Sequence, residues 1–117
     1  MENLVILKDK QAVTTSLQVA EGFQKRHSDV IRAIEDKLNS TQNCVQYQNM
    51  FATGIYKDAS GKQNKMYYMN RDGFTFIAMG FTGNTADNFK LQYIDAFNSM
   101  ENHIKQQMDM SSLSPEL

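Results

Sequence analysis

Between Thr15 and Leu38 the chain carries two short stretches of helical periodicity separated by a polar break, and few folds accommodate such a pair. Thr15-Ser16-Leu17-Gln18 opens the first. Thr15 is a good cap, and Gln18 three places on completes the spacing of a capping box. Leu17, Ala20 and Phe23 share one face, and Gly22-Phe23-Gln24-Lys25-Arg26-His27 then breaks the pattern. Ser28-Asp29 opens the second helix, where an acid near the positive end of the dipole is favourable. Val30, Ile31, Ile34 and Leu38 recur at helical spacing, with Arg32, Glu35, Asp36 and Lys37 on the other side. A helix-turn-helix needs a small residue in its first helix, apolar residues at the contacts, and polar, basic ones where the second helix meets the major groove. Ala20 is the small residue, and Val19, Phe23, Val30 and Ala33 fall at the apolar offsets. Gln24 stands where that pattern prefers Gly, and Lys25 where it prefers an apolar residue. A packed helical hairpin that never meets nucleic acid fits the same residues.

The flanking segments are β-prone. Leu4-Val5-Ile6-Leu7 and Ala12-Val13-Thr14 predict a small hairpin turning at Lys8-Asp9-Lys10-Gln11. Met50–Tyr56 and Lys65–Met69 flank a polar stretch rich in turn formers, which predicts a second hairpin with a long basic tip. Asn70 caps a helix running to about Met79, with Phe74, Ile77, Ala78 and Phe81 at helical spacing. A last helix starts near Asn84, where Phe89, Tyr93, Phe97, Met100, Ile104 and Met108 form one apolar stripe. Ser111–Pro115 is expected to end order. Tyr67, Tyr68, Phe74 and Phe76 read as core.

The 117 residues fit one domain, and the single Cys44 cannot form an intramolecular disulfide, so a reducing, cytoplasmic setting is expected. No stretch reaches the roughly 20 apolar residues of a membrane span. A net charge of −1 argues against a nucleic-acid binder, but the charge is uneven. Gln24–Ile34 carries +2, Met50–Arg71 carries +3 and Asn84–Leu117 carries −3. Scattered solvated charge, or one basic face, gives that distribution.

Two helices followed by a β-hairpin is the order of a winged helix-turn-helix, whose wing touches phosphate. Lys57, Lys62 and Lys65 on the hairpin, and Lys25, Arg26, His27, Ser28 and Arg32 at the second helix, are the candidate DNA contacts. Lysines that protect a sheet edge from aggregation are the competing reading of the hairpin. Asp29 opposes phosphate unless it caps the helix or accepts from cytosine. Met100, Ile104 and Met108 extend the stripe past the expected globule and are candidates for pairing with a second copy or a further domain. Catalysis is poorly supported: His27, Ser28 and Asp29, adjacent in sequence, cannot converge as a triad. Two His and one Cys far apart make a poor metal set, and Gly80-Phe81-Thr82-Gly83-Asn84 lacks the Lys of a phosphate loop, so neither metal nor cofactor is expected.

Three long segments resemble the phage regulatory protein Rha family: Thr14–Glu21 with Lys25–Ile34, then Tyr68–Gly83, then Phe89–Glu101. The resemblance covers about residues 3 to 102. It implies a regulatory protein of temperate phages and prophages, acting in the bacterial host cytoplasm. It also implies a link to interference with phage growth in hosts lacking integration host factor. The layout is similar to KilA-N and Bro-N type domains, regarded as DNA-binding, and several relatives carry an added domain of antirepressor type.

The expected architecture is α+β: small β-hairpins, a helix-turn-helix-like, winged-helix-like pair and a long C-terminal helix. Residues 1–102 form the regulatory domain, with 103–117 as the end of the helix and a tail or linker. The expected function is a non-enzymatic regulator acting on double-stranded DNA. The alternative is an antirepressor-like module that binds a repressor or host protein and never touches DNA.

Overall fold

A computed structural model describes residues 4–40 and 42–113, with side chains as far as residue 107. Capping starts two of the helices. The Thr15 hydroxyl accepts from the Gln18 amide and opens α1 (Ser16–Gly22), and the Asn70 side chain accepts from the Gly73 amide and opens α4 (Arg71–Ala78). Between them lie α2 (His27–Leu38), α3 (Cys44–Gln48), β3 (Phe51–Lys57) and β4 (Gln63–Met69), after β1 (Ile6–Lys8) and β2 (Gln11–Thr15). The last helix, α5, spans Asn84–Leu113 and therefore continues through Ser111 and Ser112, where an end to order was expected. Residues 114–117 of the expected tail lie outside the described residues.

The strands form one antiparallel sheet in the order β1-β2-β4-β3, an α+β architecture. The β1–β2 hairpin turns at Asp9 and Lys10, both at positive φ (52° and 64°), as a two-residue turn matched to strand twist requires. β2 reaches β4 only through Thr14↔Met69 and Thr15↔Tyr68, so the strand that feeds α1 also anchors the second hairpin.

The core is aromatic. The Phe23 ring lies within 6.1 Å of those of Phe74, Phe81, Phe89 and Tyr93, and Phe74 also meets Phe97 at 5.8 Å. Val19, Val30, Ile34, Tyr67 and Met69 close it from α1, α2 and β4. Tyr67 and Phe74 are core, as expected, but Phe76 is 39% exposed. It sits on the outer face of α4 and meets Tyr47 of α3 edge-on at 5.5 Å, with the Lys37 ammonium over both rings. α3 itself had no counterpart in the sequence reading.

Tyr93 is fully buried, and neither its hydroxyl nor that of Thr14 meets a hydrogen-bond partner among the described residues. Burial pushes the Tyr93 phenol up to about 12. Because the unfolded phenol ionises first, the associated stability is intact below about pH 10 and is lost as pH rises through about 12. Tyr93→Phe should therefore cost nothing or stabilise by about 1 kcal/mol at pH 7, and should blunt alkaline unfolding. Thermal melts across pH 8–11.5 test both; an unchanged alkaline limb would refute the assignment.

No described helix is long and apolar enough to cross a membrane.

Candidate nucleic-acid interface

The turn joining α1 to α2 is built by the backbone. Gln24 N–H donates to Glu21 C=O (3.3 Å) and Lys25 N–H to Ala20 C=O (2.9 Å), the two bonds of a Schellman motif. Such a motif needs a left-handed residue at its centre, and Gln24 takes it with φ 58°. Gln24 thus adopts the conformation that the helix-turn-helix pattern assigns to Gly. A side chain there costs about 1 kcal/mol, so Gln24→Gly should raise stability by about 0.5–1 kcal/mol in denaturant unfolding. A loss of stability would mean that the Gln side chain has a role of its own.

α2 starts one residue earlier than expected, with Arg26 as its cap residue but no side-chain capping bond. Val30 and Ile34 bury one face; Ser28, Arg32, Ala33 and Asp36 are exposed on the other. Asp29 does not cap the helix. Its carboxylate accepts from Arg26 Nε at 3.1 Å and Nη2 at 3.4 Å, and pairs with Arg32 Nη1 at 3.8 Å. Both arginines remain largely exposed, at 80% and 72% of their side chains. The Lys25 ammonium lies 5.4 Å from the centre of the Phe81 ring.

His27 is structural. Its Nε2 lies 2.8 Å from the hydroxyl of fully buried Ser16, which also accepts from the Tyr67 amide at 3.0 Å. One hydroxyl thereby ties α1, α2 and β4 together. Burial lowers the His27 pKa below its ordinary value. The stability it confers is present above about pH 6.5 and is lost as pH falls through the lower folded value. Melting temperature should fall between pH 7 and pH 5, and fall less in His27→Gln; equal falls would sever the link to this imidazole.

The second hairpin is strapped to α2 by three further contacts. Tyr56 meets His27 edge-on at 5.6 Å, and Glu35 of α2 accepts from both Lys65 and the Tyr67 hydroxyl. The Lys65 ammonium, then the Tyr67 hydroxyl, hold the Glu35 carboxyl below the usual carboxylate range. Lys65 is therefore engaged with the protein itself. Arg71, counted with the basic hairpin in the sequence, instead reaches α5, donating to Asn98 at 2.7 Å and to Glu101 at 2.7 and 3.1 Å. At the hairpin tip Asp58 accepts from the Ser60 and Lys62 amides, the Ser60 hydroxyl and the Asn64 amide nitrogen, the last at 2.8 Å. Those donors, led by the Ser60 hydroxyl, hold its carboxyl low. Lys57 and Lys62 are exposed beside it.

Of the candidate interface residues, Met100 and Ile104 are half-buried against the protein's own core, and the Met108 side chain lies outside the described residues. Among the described residues of α5 the exposed large apolar side chains are Leu91 (61%) and Ile94 (44%), which the stripe did not single out. Among the described residues no group of His, Cys, Asp and Glu could hold a metal ion.

Known proteins bear the same pattern. The chain is 34% identical over 91% of its length to an uncharacterized protein of Haemophilus influenzae, covering 62% of that protein. It is 35% identical over 87% of its length to an uncharacterized 22.8 kDa protein of Salmonella phage P22, covering 51%. It is 33% identical over 86% of its length to the Bacillus subtilis protein named "SPbeta prophage-derived putative antirepressor protein YoqD", covering 41%. The chain thus spans about two-fifths to three-fifths of these relatives. No solved structure matches it. Residues 14–102 match the family described as phage regulatory protein Rha. On that match, and on relatives that include a phage and a prophage protein, the chain belongs to the phage regulatory protein Rha family.

Proposed function

We propose that this chain regulates phage or prophage genes in the bacterial cytoplasm by binding duplex DNA, with the N-terminal turn of α2 in the major groove and the β3–β4 hairpin on the phosphates. The observation that carries the reading is the strapping of that hairpin to α2 through Tyr56–His27, Lys65–Glu35 and Tyr67–Glu35. It joins the exposed cations Lys25 and Arg26, at the entry to α2, and Arg32, on α2, to the hairpin that carries Lys57 and Lys62. Further support comes from connectivity. With the five-residue α3 inserted between α2 and β3, the elements β2, α1, α2, β3 and β4 keep the order of a winged helix-turn-helix, with sheet order β2-β4-β3, and the α1–α2 turn has the left-handed centre that motif needs. With its side chains an α-helix is about 10–12 Å across, which matches a major groove about 12 Å wide.

Fluorescence anisotropy of a labelled random-sequence duplex at about 50 and about 200 mM salt tests the reading. Phosphate contacts from Lys25, Lys57 and Lys62 would release counterions with a slope of about −2.7, so affinity should fall roughly 40-fold across that range. No binding at the lower salt by folded protein would overturn it.

The second reading is an antirepressor-like module that binds a repressor or host factor. Leu91 and Ile94, exposed on α5, and the name of the Bacillus subtilis relative favour it. Failure of duplex binding, with capture of a phage repressor lost on Leu91→Lys, would establish it.

A further inference from the structure

We infer that Asp29 and Arg26 together read one G·C base pair in the major groove, guanine through the arginine and cytosine through the carboxylate. The inference rests on the DNA-binding reading above.

Asp29 is otherwise hard to place. It stands half-exposed between Arg26 and Arg32, on the turn that would approach the DNA, where a carboxylate repels phosphate. Capping would account for it, but α2 has no side-chain capping bond. A favourable charge in the first turn accounts for an acid only weakly, since such a charge stabilises an exposed helix little. The geometry offers a more specific role. Arg26 presents its Nε–Nη2 edge to the two carboxylate oxygens at 3.1 and 3.4 Å, so the two side chains are already paired at the N-terminal end of the helix. In the major groove a guanine offers two acceptors, O6 and N7, while its paired cytosine offers one donor, the N4 amine. A guanidinium beside a carboxylate is the complement of that pair taken as a whole. An A·T pair satisfies the two side chains less fully: adenine N6 can donate to the carboxylate, but the arginine then finds one acceptor, N7 or thymine O4, in place of the O6 and N7 pair of guanine. Arg32, on the other flank of Asp29 at 3.8 Å, keeps the carboxylate partly neutralised when Arg26 turns to the base.

Three proteins decide the matter: the unaltered chain, Asp29→Ala and Arg26→Ala, each first shown to be folded by circular dichroism and thermal melting. Each is used to select sites from a random duplex library, and the affinity of the selected site and its single G·C→A·T variants is then measured by anisotropy. The unaltered chain should disfavour one such variant by about tenfold. Asp29→Ala should bind random duplex more tightly, having lost a negative charge, yet lose discrimination at that one position. Arg26→Ala should lose discrimination at the same base pair. If the unaltered chain binds no duplex, the DNA-binding reading falls and this inference with it. If it binds without sequence preference, or Asp29→Ala keeps the parental preference, or loses preference across the whole site, DNA binding stands and the assignment of Asp29 is overturned.

Discussion

Phe97→Ala is expected to cost about 3–5 kcal/mol, against the roughly 5–15 kcal/mol that holds a domain of this kind together. The ring is 1% exposed and lies between α5 and α4, with Phe74 at 5.8 Å and the Arg71 guanidinium 5.5 Å above its face. Its removal opens a cavity that neighbours of fixed shape cannot fill. It also withdraws the surface on which Arg71 rests while it binds Asn98 and Glu101. Leu91→Ala on the same helix removes an aliphatic side chain that is 61% exposed and should cost well under 1 kcal/mol. Urea unfolding of the two variants measures the contrast, and a Phe97→Ala loss below about 1 kcal/mol would mean that α5 does not seal the core.

That seal was legible in the sequence, because Phe89, Tyr93 and Phe97 repeat along a single helix and need no partner to reveal their common face. Caps are equally local, so Thr15 and Asn70 marked helix starts that the backbone bears out. α3 escaped because its five residues, Cys-Val-Gln-Tyr-Gln, have no periodicity to read. What defines it is tertiary: Tyr47 against Phe76, with Lys37 over both. The same contact explains why Phe76, an aromatic residue in a helical pattern, lies outside the core.

Charge was harder to read than shape. Composition counts Lys65 and Arg71 as free cations, yet each has a carboxylate partner 30 residues away, Glu35 and Glu101. His27, a candidate DNA contact that reads equally as a capping or solvent-facing histidine, is held by Ser16, 11 residues back. No spacing rule links such pairs, because only the folded sheet brings them together. Lys25, Arg26, Arg32, Lys57 and Lys62 are left as the exposed cations of the proposed face, a smaller set than the sequence suggested.

Because Asp29 is shared, Arg26 and Arg32 should not act independently. Either single alanine variant is expected to lose roughly 1–3 kcal/mol of duplex affinity if its guanidinium meets a base. In each single variant the carboxylate keeps one arginine beside it. The double variant leaves Asp29 bare toward the phosphates, so its loss should exceed the sum of the two, a coupling that a double-mutant cycle reads directly. Lys62→Ala, on the hairpin tip, should weaken all sequences alike and flatten the salt slope by about 1. Lys65→Ala would act by another route: it leaves Glu35 with only the Tyr67 hydroxyl, and any loss of affinity should be recovered by Glu35→Gln in the same chain. Strict additivity of the arginines would show that Asp29 does not couple them, and unchanged affinity in the double variant would remove α2 from the interface altogether.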